Sequence, residues 1–379
     1  MFVNFRRIRK CQCVQLAATC FVVSLLMVCW DQLDHHVVSH MRSYSYRYLV
    51  NSYGFINSSF ALREGEASAE HRYLLNHPER CAGSEVLLLL FVKSSPENRE
   101  RRQAIRDTWG NESYVGATQG ESVRVLFVLG VSPDPEPRER RVQRDLELED
   151  QSYGDLIQQD FLDTFHNLTT KLLLQFRWGH AYCRHARFLM TADDDIFVHM
   201  PNLVRYLRGL VRSGAAKDLW VGHVHVGAPP IRRKDSKYHV PHELYPWPSY
   251  PDYTAGAGYV VSGDAAAKIY QATLRLNSSM YIDDVFMGIC ANAVGVAPRE
   301  HVYFSGEGKA PYHPCIYDRM ITSHGHADDV RSLWRAATGP GARRASAGVF
   351  GKLYCAAVRV ALLCKPYYQN TYPCKAAFS

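Results

Sequence analysis

The first pattern in the chain is a mainly apolar one: from Cys11 to Trp30 no residue is charged. About 20 residues of helix, at roughly 1.5 Å each, cross the roughly 30 Å hydrocarbon layer of a bilayer, so residues 11–30 are expected to form a transmembrane signal anchor. Arg6, Arg7, Arg9 and Lys10 precede it, and Asp31 and Asp34 follow. That asymmetry puts residues 1–10 in the cytosol and the rest of the chain in a lumen, as a type II membrane protein. A cleaved signal peptide is the competing reading, but Cys29-Trp30-Asp31 offers no small-residue cleavage site. Residues 31–84 show scattered tyrosines and no sustained periodicity, which reads as a luminal stem.

At Glu85 the pattern changes. Val86 to Val92 is a continuous apolar run of strand length, expected where both faces of a strand are covered by helices. A second such run, Val123 to Leu129, follows a polar helical stretch, which gives a βαβ unit. A charged helix is expected near 139–150, a strand at 155–158, and a helix from about Thr164 that buries Phe165, Leu168, Leu172 and Phe176. Phe188 to Met190 and Leu219 to Val221 read as further strands, with helices from Asp264 and from about Asp283. The order is that of an α/β domain over 85–379, with a mostly parallel central sheet and helices on both faces. Ligands of such sheets sit beyond the carboxyl ends of the strands. The apolar stretch 349–364 is interrupted by Lys352 and Arg359, so it is too short and too charged to span a membrane. It is expected to pack on the domain as a helix rather than lie on a membrane surface.

Charge narrows the choice of partners. The formal net charge is +7 over 379 residues, with Lys and Arg spread rather than blocked, so nucleic acid is not an expected partner. Four Asn-X-Ser/Thr sequons, at Asn57, Asn111, Asn167 and Asn277, follow the apolar stretch and fit glycosylation in a secretory lumen. Cys81, Cys183, Cys290, Cys315, Cys355, Cys364 and Cys374 fall on that side too, without zinc-type spacing, so they read as disulfide scaffolding, with the odd thiol either free or paired between chains.

Three constellations carry candidate chemistry. Asp193-Asp194-Asp195 ends an apolar strand and precedes Ile196-Phe197-Val198. Carboxylates crowded there repel one another, and a divalent cation with a preference for oxygen ligands offsets the repulsion. Asp283-Asp284 opens a predicted helix, where the helix dipole alone would account for acids. Beside a metal site, however, such a pair also supplies the base that deprotonates a hydroxyl nucleophile. Lys93, Arg102 and Arg106 follow the first strand and are candidates for a pyrophosphate. No G-x-G-x-x-G follows that strand, and Gly306-Glu307-Gly308-Lys309 lacks Walker spacing, so neither a Rossmann dinucleotide site nor a P-loop is supported. His313 and His324 lie downstream as possible additional metal ligands.

The stretches Arg102 to Gly110, Phe127 to Gly130, Asp160-Phe161 with Asn167-Leu168-Thr169, Thr191 to Val198, Tyr250-Pro251 with Gly256 to Gly263, and Asp283-Asp284-Val285 with Gly288 resemble the beta-1,3-glycosyltransferase family, in the family's order. Ser39 to Tyr48, Phe304 to Tyr317 and Thr371 to Cys374 carry a closer likeness to members acting on glycolipids. The resemblance implies a GT-A type nucleotide-sugar fold in the Golgi membrane. It also implies Mn2+ at Asp193 to Asp195, with Asp195 the principal ligand, Asp193 on the nucleotide side and His324 the metal histidine. UDP-N-acetylglucosamine would be the donor, and lactosylceramide or another galactose-ended glycan the acceptor. Inverting transfer would use Asp284 as base. The family often has Glu-Asp where this chain has Asp283-Asp284, which leaves Asp283 as the alternative. Trp220, Tyr253 and Trp247 are candidates for stacking on sugar faces. Two rival readings remain: a galactosyl- or N-acetylglucosaminyltransferase of glycoprotein glycans, and a non-catalytic anchored lectin. The acidic pair and the pyrophosphate cations argue against the lectin.

Overall fold

The computed structural model describes residues 15, 17–23, 71–83, 85–306 and 308–363. In chain order the strands are β1 (Tyr73–Leu75), β2 (Leu88–Lys93), β3 (Val123–Val131), β4 (Leu156–Leu162), β5 (Phe188–Asp193), β6 (Phe197–Val198), β7 (Trp220–Gly222), β8 (Val224–His225), β9 (Tyr253–Thr254), β10 (Gly258–Ser262), β11 (Arg299–Glu300) and β12 (Thr322–Ser323). The α-helices after residue 71 are α1 (Arg99–Arg106), α2 (Glu112–Gln119), α3 (Arg138–Tyr153), α4 (Leu168–Tyr182), α5 (Met200–Ser213), α6 (Gly263–Thr273), α7 (Asp283–Ala293), α8 (Pro314–Tyr317), α9 (Val330–Thr338), α10 (Pro340–Ala345) and α11 (Gly348–Leu363).

Eight strands form the central sheet in the order β1-β4-β3-β2-β5-β10-β7-β11. The inner run β4-β3-β2-β5 is parallel, as is β7 with β11. β1, β10 and the β10–β7 pair are antiparallel, so the expected mainly parallel sheet carries an antiparallel insertion next to β5. The apolar run of β2 divides between two cores, as the pleat requires. Leu88, Leu90 and Val92 meet Ile105 and Trp109 on one face, whereas Leu89 and Phe91 meet Phe176 and Trp178 on the other. The helix expected from Thr164 begins as a short 3-10 turn, Phe165–Asn167, and only then becomes α4.

One expectation is corrected. Tyr73–Leu75, read as stem, pairs with β4, and Cys81 in the same segment is disulfide-bonded to Cys183 at the end of α4. The folded unit therefore starts upstream of Glu85. The apolar tail packs on the domain as a helix, as expected, held to α8 by the Cys315–Cys355 disulfide, while the described residues leave its outer side chains uncovered: Phe350 is 89% and Leu353 63% exposed. No helix among the described residues is long and apolar enough to cross a membrane. The expected anchor over 11–30 lies largely outside those residues, as do Asn57, Cys364 and Cys374. Of the other sequons, Asn277 is exposed, Asn111 caps α2 by accepting from Tyr114 N, and Asn167 donates to Leu162 O.

Candidate functional site

The site is assembled at the carboxyl end of β5. Parallel pairing of β2 with β5 sets Lys93 opposite Asp193, and the Asp193 amide is tied to Ala257 O across the antiparallel neighbour. Past the turn, β6 pairs antiparallel with β12, with Ser323 opposite Phe197. His324 is thereby delivered beside Asp195. The ligand atoms of Asp193, Asp195 and His324 lie within 4.8 Å of one another, with His324 Nε2 3.4 Å from Asp195 Oδ1. Asp195 Oδ1 and His324 Nδ1 are buried without a hydrogen-bond partner among the described residues. A buried polar atom left unsatisfied is costly. Two carboxylates and an imidazole so arranged fit a divalent cation. The imidazole beside it holds the Asp195 carboxyl below its ordinary value, and that carboxylate in turn raises His324. Burial, only partly countered by Lys93, raises Asp193.

Asp194 does not join this cluster. Its carboxylate accepts from Ser94 Oγ at 2.7 Å, Asn98 Nδ2 at 2.9 Å and Arg101 Nη1 at 2.9 Å. The expected metal ligand is instead a tether between the acidic turn and the start of α1. Sequence reasoning passed over Ser94, Asn98 and Arg101, because nothing in their spacing shows which carboxylate they face.

Lys93 is no free pyrophosphate cation either. Its ammonium donates to Asp283 Oδ2 at 2.8 Å and to Gly256 O at 3.1 Å, and lies 3.0 Å from Asp193 Oδ1. Burial disfavours its charge, but Asp193 and Asp283 outweigh that and hold the lysine well above its usual value. Lys93 thus cross-links the acidic turn to α7. With Asp283 buried and engaged, Asp284 is the acid left half-buried at the mouth of the site. Its oxygens accept from Gly256 N at 3.2 Å and Val285 N at 2.7 Å. Burial first, then Asp283, pushes its carboxyl up to about 7. The Gly256 peptide therefore serves both halves, its carbonyl on Lys93 and its amide on Asp284.

Arg102 and Arg106 require the same correction. Arg102 is fully buried and holds Glu149 with two 2.8 Å bonds, and it also donates to Ser95 O and Pro96 O. Arg106 pairs with Asp155 at 2.8 Å and with Glu149 at 2.8 Å, stacked on Phe127 and Tyr153. Although burial opposes it, the two guanidiniums keep the Glu149 carboxyl below its ordinary value. Arg102, with Lys171 on Ser94 O, fixes the loop after β2 that reaches Asp194. These arginines act on loop geometry, so Lys93, Arg102 and Arg106 no longer weigh against a lectin as pyrophosphate cations. Trp220 is likewise core: it is fully buried and donates to Thr254 Oγ1 at 2.9 Å. Tyr253 remains half-buried, packed over Gly288, where an added Cβ would stand 2.8 Å from Tyr253 Cβ. Trp247 is half-buried against the same core.

The galactosyltransferase family model matches residues 100–302, which include both acidic constellations. The chain belongs to the galactosyltransferase family. Within it, the chain is 64% identical over 381 residues to a Danio rerio lactosylceramide 1,3-N-acetyl-beta-D-glucosaminyltransferase A, with both chains fully covered. It is 58% identical over 379 residues to the Homo sapiens lactosylceramide 1,3-N-acetyl-beta-D-glucosaminyltransferase, covering 100% of this chain and 99% of that one. It is 57% identical over 380 residues to the Rattus norvegicus enzyme of that name, again with both fully covered. Lys93 and His324 lie outside the segment that the family model matches but inside these full-length alignments.

Proposed function

We propose that this galactosyltransferase-family chain transfers N-acetylglucosamine from UDP-N-acetylglucosamine, in beta-1,3 linkage and with inversion, to the terminal galactose of lactosylceramide. The observation that carries the reaction type is the pairing, in one site, of a cation-fitting cluster with a separate carboxylate of raised pKa. The full-length relatives, named for that donor sugar and acceptor, support the specificity.

In this reading Asp284 accepts the proton of the galactose 3-hydroxyl as its oxygen bonds to the anomeric carbon of the donor. The bond from that carbon to the diphosphate breaks on the opposite side, and UDP departs with the electron pair. A base with a pKa near working pH combines a usable carboxylate fraction with a real driving force for proton transfer. Gly256 N and Val285 N orient the carboxylate, and Lys93 holds Asp283 and Asp193 at fixed separation so that the two halves stay in register. Asp195, Asp193 and His324 would hold Mn2+, which supplies Lewis-acid stabilisation of the negative charge on the departing diphosphate. Tyr253, beside α7 and packed against His225, is the aromatic candidate for a sugar contact. The apolar stretch 11–30 anchors the enzyme in the Golgi membrane, with residues from 31 onward in the lumen.

The direct test incubates the protein with Mn2+, lactosylceramide and either UDP-N-acetylglucosamine or UDP-galactose, and weighs the lipid. The expected result is a gain of one N-acetylhexosamine from the first donor, abolished by chelation. Transfer only to protein glycans, or only from UDP-galactose, would contradict the specificity and leave the reaction type standing.

A further inference from the structure

Helix α11 has two unlike sides. On the inner one Cys355 is buried and bonded to Cys315, and Val358 and Leu362 are half-buried. On the outer one Val349 is 71%, Phe350 89%, Leu353 63%, Tyr354 57% and Val360 57% exposed. At about 100° per residue these five side chains form one stripe, wider than the roughly 100° face that a surface helix ordinarily gives its own core. No charged residue interrupts the stripe. Lys352 stands exposed at its edge, and Arg359 is turned inward to Cys315 O and Asp318.

Along the chain, the charge in this C-terminal stretch has one sign, and the acids it meets come from elsewhere: Asp318 faces Arg359 and Asp107 pairs with Arg331. Between Val330 and Ser379 there is no Asp or Glu, whereas Arg331, Arg335, Arg343, Arg344, Lys352 and Arg359 precede Leu363, and Lys365 and Lys375 follow it. Among them Arg335 and Arg344 are exposed. An apolar stripe that the described residues leave uncovered, with Lys352 at its edge and exposed Arg335 and Arg344 in the same acid-free stretch of chain, matches an interface of acyl chains beneath anionic headgroups, with area burial and charge attraction acting together.

We propose that α11 lies on the surface of a lipid bilayer, with Phe350 and Leu353 inserted at the boundary between headgroups and acyl chains and the surrounding cations against anionic lipid. The helix is too short and too charged to span, so it is a surface contact additional to any anchor. Through the Cys315–Cys355 bond and α8 it is attached to the segment that runs on to β12 and His324. Docking therefore fixes the orientation of the metal-fitting cluster to the membrane plane. The proposal goes beyond the acceptor assigned above and does not depend on it.

The test uses the full chain reconstituted in vesicles of phosphatidylcholine with an anionic lipid, whose acyl chains either carry bromine as a quencher of tryptophan or do not. A Phe350→Trp chain is expected to lose, in the brominated vesicles, emission that the unaltered chain keeps. A Leu274→Trp chain, with its change at an exposed apolar position at the end of α6, is expected to behave like the unaltered one. A Leu353→Trp chain repeats the reading one turn on, and Lys352→Glu in the Phe350→Trp background should reduce the loss. Absence of added quenching at both positions overturns the proposal. Red-shifted emission would then mean that the face stays in water, and blue-shifted emission that protein covers it, from residues 364–379 or a second copy.

Discussion

Asp284 is the residue whose environment departs most usefully from water. Its carboxyl is pushed up to about 7 by burial and then by Asp283. The carboxylate is the form that accepts a proton, so transfer is expected to rise with pH through about 7 and level off above it; a rate profile at saturating substrate checks this. The same shift has a stability sign. A carboxyl whose folded value is raised holds its proton more tightly in the fold, so its contribution is fully present below about 4 and is lost as pH rises through about 7. Asp284→Asn should therefore gain stability relative to the parent chain as pH rises across that window, read as a growing difference in melting temperature. Arg102 makes the opposite case. Arg102→Met strands part of the buried charge of Glu149 and should cost about 3 kcal/mol or more in urea unfolding. UDP affinity of the folded protein should be unchanged, because no donor contact is lost. A fall in UDP affinity at undiminished stability would restore Arg102 to the donor site.

Among the elements, those with a long apolar run or a strong helical period were legible: β2, β3, α3, α4 and α7 stand within a few residues of their expected places. What could not be read is pairing between distant segments. β12 is two residues long, yet its pairing with β6 brings His324 to Asp195, and two residues carry no period. β1 hid for the same reason inside a segment that reads as stem. Likewise the acids were visible as charges, but which were engaged was not: Lys93, next to Ser94 in sequence, reaches across 190 positions to Asp283. Cysteine spacing points to disulfides and leaves their partners open. The bond between Cys81 and Cys183, 102 positions apart, closes a long loop. A Cys81→Ser/Cys183→Ser chain should lose about 2–5 kcal/mol of stability in denaturant unfolding. An unchanged midpoint would mean that β1 and the turn after it dock without the bond.

At the scale of the whole molecule, the proposed anchor at 11–30 and the proposed docking of α11 would act on the same bilayer, and the relatives are named for a lipid acceptor. If α11 docks as proposed, Phe350→Ser/Leu353→Ser should raise KM for lactosylceramide in vesicles about tenfold or more, from the apolar area no longer buried. Transfer to free lactose should be unaltered, since neither residue lies in the site. Equal loss with both acceptors would signal damage to the fold instead. The central claim is that the acids on either side of Lys93 form one catalytic site with Asp284 as its base. It is tested most directly by measuring transfer and UDP binding together in Asp284→Asn. Transfer is expected to fall about 10²–10⁴-fold, the range of a lost general base, with UDP affinity in the presence of Mn2+ within about twofold of the parent. Transfer near the parent rate would contradict the account.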